Sequence, residues 1–257
     1  MTTHILDARG LYKAYGSIPV LKDVTLRMQQ GETHVVIGPN GAGKTTLFKT
    51  LSGELLPDAG EISIAGKRVE GIDGYQRVRL GVGRTFQVAR VFGEDTVLEN
   101  MVVAVEASRR HQGAGGGFSW RIAPAADVYD EALDALEKMG LASQRDHVSG
   151  VLAYGDRKRL ELAMSLALRP KLLMLDEPMA GMSPPDRAAA VKTIKSVVRE
   201  RGISILLTEH DMDVVFSLAD RITVLNYGEI IASGTPEDVR SSPEVREIYL
   251  GHEVQSA

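Results

Sequence analysis

The 257-residue sequence contains no cysteine, which excludes disulfides and thiolate metal sites. It also lacks a basic excess. Thirty Lys and Arg stand against 34 Asp and Glu, mixed throughout, for a net charge of −4; no electrostatic hold on nucleic acid or anionic lipid follows. Long apolar runs are missing too. Runs such as Leu172–Leu175 and Ile203–Leu207 fall far short of the roughly 20 residues of a spanning helix. The stretch from Met1 to Gly10 carries Asp7 and Arg9 and has no apolar signal core. Any work at a membrane is therefore expected to go through a partner. No internal repeat is visible. The single low-complexity patch, Gly113–Gly117, reads as a flexible, solvated loop flanked by Arg109, Arg110 and Arg121.

What is present is an alternation of short β-like runs with helical patterns, the mark of an α/β protein with a largely parallel sheet. Strands are expected at Ile5–Tyr12, Val20–Met28, Thr33–Ile37, Glu61–Ile64 and Lys67–Val69, and a helix over Lys44–Leu51 that Gly53 ends. From about Val91 to Leu168 the pattern turns helical. Tyr129, Leu133, Leu136 and Met139 form one apolar series, and Leu160, Ala163, Met164, Ala167 and Leu168 another. The last third returns to alternation: strands at Leu172–Leu175, Ile203–Leu207 and Ile222–Leu225, and an amphipathic helix at Val191–Val198. Helix starts fall at Thr235–Pro236 and Ser242–Pro243. A chain of this length buries roughly 70–75% of its unfolded surface, enough for one domain.

The sharpest chemical signal is Gly38-Pro39-Asn40-Gly41-Ala42-Gly43-Lys44-Thr45, followed by Thr46, a match to the P-loop pattern. Its glycines let backbone N–H groups approach phosphate oxygens, and the helix that follows offers its positive end. Lys44 can reach the β- and γ-phosphates, and the Thr45 hydroxyl can ligate Mg²⁺. An apolar strand runs in and a helix runs out, the context a nucleotide site requires. A second signal, Leu172-Leu173-Met174-Leu175-Asp176-Glu177-Pro178, is a strand buried on both faces with two carboxylates at its end, where ligands collect in open α/β sheets. Asp176 suits a hold on Mg²⁺, and Glu177 a base that polarises an attacking water.

With both signals in place, the whole chain resembles the ABC ATPases. Leu152-Ala153-Tyr154-Gly155-Asp156 stands where that family has its signature, Arg84-Thr85-Phe86-Gln87 resembles its glutamine loop, and Thr208-Glu209-His210-Asp211 its histidine switch. Tyr15 resembles the aromatic that stacks on adenine. The signature departs from the usual Leu-Ser-Gly-Gly-Gln at Ala153, Tyr154 and Asp156, and Ala180-Gly181-Met182-Ser183 departs from Ser-Ala-Leu-Asp. These departures are similar to the subgroup that powers branched-chain amino acid importers, as are Arg84–Phe92, Thr96–Asn100 and the closing Gly228–Pro236.

The resemblance implies a P-loop NTPase core with a mostly parallel sheet, an antiparallel β subdomain and an inserted helical subdomain. It implies one domain over residues 1–257, with core at about 1–90 and 166–257 and helices at about 91–165. Thr45, Gln87 and Asp176 would serve Mg²⁺, while Lys44, Glu177 and His210 would serve hydrolysis. Ala153, Tyr154 and Gly155 would face ATP held by a second ATPase subunit, identical or different, with Gly155 keeping the close backbone approach and the serine hydroxyl missing. Val88, Val91 and Phe92, beside Gln87, would form an apolar patch that receives a permease subunit. The expected place is the cytoplasm, at the inner face of the membrane. Two other functions fit the resemblance less well: lipid export, and a non-transport ATPase acting on DNA or ribosomes. The latter class usually carries a coiled coil or two ATPase modules, and this chain has neither.

Overall fold

Strands β1 (His4–Tyr15) and β2 (Ile18–Gln29) form an antiparallel hairpin. On the other flank of β1 pair β4 (Ala59–Ile64) and then β5 (Lys67–Arg68), giving a four-stranded sheet of order β2-β1-β4-β5. The computed structural model describes residues 4–85, 89–111 and 124–250. Phe86, Gln87, Val88, the Gly113–Gly117 patch and Arg121 lie outside the described residues.

The second sheet has six strands in the order β10-β9-β3-β8-β7-β6. These are β3 (Thr33–Ile37), β6 (Val82–Arg84), β7 (Leu172–Asp176), β8 (Ser204–Thr208), β9 (Arg221–Asn226) and β10 (Glu229–Gly234). Strands β6, β7, β8, β3 and β9 run parallel, and β10 closes the edge antiparallel to β9. Every residue of β3, β7 and β8 is buried, because the sheet is covered on both faces. Side chains alternate across it. Leu173 and Leu175 join one core with Val35, Ile37, Ile205 and Leu207. Leu172 and Met174 join the other with Val36 and Leu206, against Leu6, Leu11 and Phe48.

Helix α1 (Lys44–Ser52) follows β3 and ends at Gly53, whose φ of 84° is the left-handed C-cap its position predicts. Beyond it the Arg77 guanidinium, fully buried on α2 (Gly74–Arg79), donates to the carbonyls of Thr50 and Leu51 at the end of α1 and to those of Val69 and Ile72. A positive charge there complements the negative end of the helix dipole. The helices α3 (Val97–His111), α4 (Ala126–Lys138) and α5 (Tyr154–Ala167) come in chain order between β6 and β7. In α4 Leu136 and Met139 of the expected series are buried, but the rest of the inward face is turned from it. Val128, Ala132 and Leu136 are buried, Leu133 is half-buried and Tyr129 is exposed. The phenol tip keeps Tyr129 at the surface, and small or β-branched side chains take the tight contacts. Leu168 lies past the last residue of α5 and is exposed rather than packed.

The last third holds α6 (Pro184–Arg201), α7 (Met212–Leu218), α8 (Pro236–Ser241) and α9 (Pro243–Leu250). Ser183 caps α6, and Thr235 with Asp238 forms a reciprocal capping box at α8. Among the described residues no helix is long and apolar enough to cross a membrane.

Candidate functional site

Parallel strands deliver their C-terminal ends to one edge, and the chemistry gathers there. The loop after β3 needs its glycines for contact as well as for freedom. A Cβ on Gly38 would lie 2.1 Å from the Leu225 carbonyl oxygen, and one on Gly43 2.7 Å from that of Val20. Gly43 also has φ 105°. The Lys44 ammonium folds back on the loop, donating to the carbonyls of Gly38 (2.6 Å) and Pro39 (3.0 Å). Burial lowers its pKa, and the charges of Glu177 and Asp176 oppose that shift. The start of α1 and the end of β7 thus bring one cation toward two carboxylates.

Asp176 ends β7 and is buried. Its Oδ1 accepts from the Thr208 hydroxyl at 2.8 Å, and its N–H reaches the Thr85 Oγ1 at 3.4 Å. Thr208 in turn accepts the N–H of Glu177 at 3.1 Å. Glu177 sits in the left-handed region with φ 47°, a conformation that costs a non-glycine residue about 1–2 kcal/mol. That turn directs its carboxylate to His210, whose Nε2 lies 2.7 Å from Glu177 Oε1. His210 follows β8 and remains half exposed. Beneath it the Glu209 carboxylate is buried and accepts the N–H groups of Met179 and His210 at 3.1 Å each. Burial pushes Glu209 up from the ordinary carboxylate range.

Among the described residues no group of three or more His, Cys, Asp or Glu could hold a metal ion by itself. The donors at hand are hard oxygens, the Asp176 carboxylate and the exposed Thr45 hydroxyl. This set suits Mg²⁺ carried on nucleotide phosphates rather than a resident transition metal.

The other anticipated residues fall around this edge in different ways. Tyr15 is half exposed and pairs with Ile18 at the end of the β1–β2 hairpin. Val20, two residues on, packs against Gly43, so this end of the hairpin abuts the phosphate loop. Ala153, Tyr154 and Gly155 open α5. There the Gly155 position is already filled by the chain itself, since a Cβ would lie 2.8 Å from the Gly181 carbonyl oxygen. The Tyr154 ring occupies the space a Cβ on Gly181 would need, at 2.5 Å. Two departures from the family pattern are therefore complementary: an added ring meets a missing methyl. Asp156 pairs with Arg159 and accepts from Gln144. Gln87 lies outside the described residues. Of the expected apolar patch, Val91 packs against the core while Phe92 stands half exposed. Sequence reasoning assigned no role to Thr208, whose hydroxyl bridges the two acids. A threonine at the end of a strand carries no signal until the adjacent strand is known.

The family model for ABC transporters matches residues 21–180, more than half of the chain. The chain belongs to the ABC transporter family. It is an ATP-binding cassette, the ATPase of a transport system. A second model, for the branched-chain amino acid ATP-binding cassette transporter, matches residues 229–255. The chain is 39% identical to the high-affinity branched-chain amino acid transport ATP-binding protein LivG of Salmonella typhimurium, covering 98% of this chain and 99% of that protein. It is 38% identical to its counterpart BraF of Pseudomonas aeruginosa over the same shares. The lipopolysaccharide export ATP-binding protein LptB of Haemophilus influenzae is 33% identical, covering 97% of this chain and 98% of that one. Among solved structures, the ADP conformation of an ABC transporter cassette aligns with TM-score 0.80 at 29% identity, covering 97% of this chain and all of the other. A nucleotide-free cassette aligns equally well at 28% identity, covering 96% and 98%.

Proposed function

We propose that this chain is the ATP-hydrolysing subunit that powers an importer of branched-chain or related amino acids. The observation that carries the hydrolytic part is the meeting of Lys44, Asp176, Glu177 and His210 at one edge of the parallel sheet. The importer part is supported by the names of the LivG and BraF relatives and by the family model at residues 229–255.

Phosphoryl transfer asks a protein mainly for positioning and charge neutralisation. In this reading Tyr15 stacks on adenine, and the loop from Gly38 to Thr46 grips the phosphates with its backbone N–H groups. The Lys44 ammonium leaves the carbonyls of Gly38 and Pro39 for the β- and γ-phosphates. Thr45, Asp176 and Gln87 would hold Mg²⁺ carried by the nucleotide, and the ion would supply neutralisation of phosphate charge. Glu177 orients the attacking water and accepts a hydrogen bond from its O–H, and His210 turns its Nε2 toward the γ-phosphate. Thr208 keeps the two acids in register. Ala153, Tyr154 and Gly155 meet ATP held by a second ATPase subunit, identical or different, so nucleotide forms part of the interface. Residues 91–165 act as the helical subdomain within the single domain 1–257, the remaining stretches forming the core. Permease subunits dock at the exposed Phe92, which keeps the chain at the cytoplasmic face of the membrane through partners alone.

The test is to tag the chain, purify it gently from its host's membranes and identify what travels with it. Two multi-helix permeases and an amino-acid-binding protein are expected. Lipid-export components, or DNA or ribosomes with no permease, would overturn the importer reading while leaving the ATP site intact.

A further inference from the structure

The loop that leaves Glu177 and the segment that carries His210 are tied together more than once. Two of the ties belong to the site above: His210 Nε2 against Glu177 Oε1, and the Met179 N–H donated to Glu209. Another lies at the end of the first turn of α6. There the Arg187 guanidinium pairs with the carboxylate of Asp211, the residue directly after His210. Its other terminal nitrogen donates back to the Met182 carbonyl at 3.4 Å. One arginine thus holds both the end of the Glu177 loop and the residue beside the histidine.

Asp211 is fixed on its other side as well. Its Oδ1 caps α7, accepting the N–H groups of Asp213 at 3.0 Å and Val214 at 3.3 Å, while Oδ2 takes the arginine. With both oxygens engaged, the carboxylate fixes the backbone on which His210 is carried. The first turn of α6 is anchored in turn. Asp186, the neighbour of Arg187, meets Arg159 of α5 at 3.0 Å and its own cap Ser183 at 2.6 Å. Stability alone is a poor account of these two arginines. The Nε atoms of Arg187 and Arg159 are both buried without a partner among the described residues, and a buried donor left unsatisfied is destabilising. The side chains are placed by what their terminal nitrogens reach.

We propose that Arg187 is a positioning residue that acts through Asp211 to hold His210 against Glu177. The contacts form a closed ring: Arg187 to Asp211, Asp211 along the chain to His210, His210 to Glu177, and the Glu177 loop back to Arg187 at the Met182 carbonyl. Neither the loop nor the histidine can then shift without disturbing the ion pair. Such a clamp sets the geometry of reacting groups, so its loss is read in turnover rather than in nucleotide binding. Arg187 and Asp211 need not touch nucleotide themselves. The inference rests on the reading of Glu177 and His210 as the hydrolytic pair.

The experiment uses the purified full-length chain, with steady-state and single-turnover ATP hydrolysis, binding of a fluorescent ATP analogue and thermal unfolding measured for each variant. Arg187→Ala is expected to lower kcat about tenfold, with KM and analogue affinity within about twofold. Arg187→Lys keeps a cation for Asp211, which meets a single guanidinium nitrogen, and is expected to stay within about threefold of wild type. Asp211→Asn keeps an oxygen for the α7 cap but loses the charge, and should match Arg187→Ala. The double variant Arg187→Ala/Asp211→Asn should be no slower than either alone. The histidine itself separates positioning from general support. In a His210→Ala background, Arg187→Ala should change the single-turnover rate by no more than about twofold, because nothing is left to position. A further loss of about tenfold in that background would overturn the proposal, as would wild-type kcat in Arg187→Ala. Asp211→Asn carries the same test should Arg187→Ala fail to fold. If His210→Ala alone hydrolyses ATP at the wild-type rate, the underlying site reading fails instead, independently of Arg187.

Discussion

At the N-terminal end of the parallel sheet, His34 Nδ1 lies 3.0 Å from Glu32 Oε1; at the C-terminal end, His210 Nε2 lies 2.7 Å from Glu177 Oε1. The residue types are the same and their surroundings are opposite. His34 is 1% exposed, and its other nitrogen is engaged with the Thr223 hydroxyl at 2.8 Å, which meets Ser233 in turn. Glu32 also accepts the Gln29 N–H. Polar groups at that end are consumed by one another, the condition for burying them without penalty. His210 is half exposed, and Glu177 is held in a left-handed turn. Strain and unspent hydrogen-bonding capacity mark the end that works. A histidine–glutamate contact is therefore no sign of catalysis by itself; access and backbone strain make the difference.

The largest separation between the two ends is expected from the acids. Glu177→Gln should lower ATP turnover by roughly 10²–10⁴-fold while leaving nucleotide binding intact, as single-turnover hydrolysis would read. Glu32→Gln should leave turnover within about threefold, because nothing at that end meets phosphate. Similar losses from both would erase the distinction. The histidines come next. His210→Ala should cost about a hundredfold in kcat with a stability change inside about 0.5 kcal/mol. His34→Ala strips partners from Glu32 and Thr223 and should cost about 2–4 kcal/mol in urea unfolding, with turnover preserved. The threonines sharpen the contrast on a smaller scale. Thr208→Val removes the bridge between Asp176 and Glu177 and should slow turnover about tenfold. Thr223→Val should instead cost about 1 kcal/mol of stability.

The same contrast governs what the sequence discloses. The phosphate loop was legible because strand, glycine turn and helix are consecutive, and the left-handed Gly53 cap and the Thr235 box are local in the same sense. Asp176 and Glu177 gained meaning from the apolar run before them. Short or atypical elements left no pattern: β6 is three residues with Gly83 at its centre, and α2 spans six residues containing two arginines. Periodicity finds Leu136 and Met139 on the buried face of α4 but locates a stripe only to within a residue or so, and Tyr129, apolar by count, stands exposed. Thr208 could not be found from spacing at all. Its role exists only once β7 and β8 are neighbours.

The smallest expected effect distinguishes the two ends by the sign of a pH slope. Burial pushes the Glu32 carboxyl up, but hydrogen bonds from His34 and the Gln29 N–H, with the charges of His34 and Arg221, outweigh it and hold the group below its ordinary 4.5. The unfolded chain then binds the extra proton first, so this contribution is full above the ordinary value and is lost as pH falls through the folded value. Glu209 is shifted the other way, pushed up chiefly by burial, with Glu177 adding repulsion. Here the folded state holds its proton longer, so stability falls as pH rises from 4.5 through the folded value. Urea unfolding between pH 3 and 7 of wild type, Glu32→Gln and Glu209→Gln therefore reads both ends at once. The advantage of wild type over Glu32→Gln should shrink toward acid, whereas Glu209→Gln should gain on wild type toward neutrality. Parallel slopes for the two variants would mean that the working end of the sheet is no more frustrated electrostatically than the structural one.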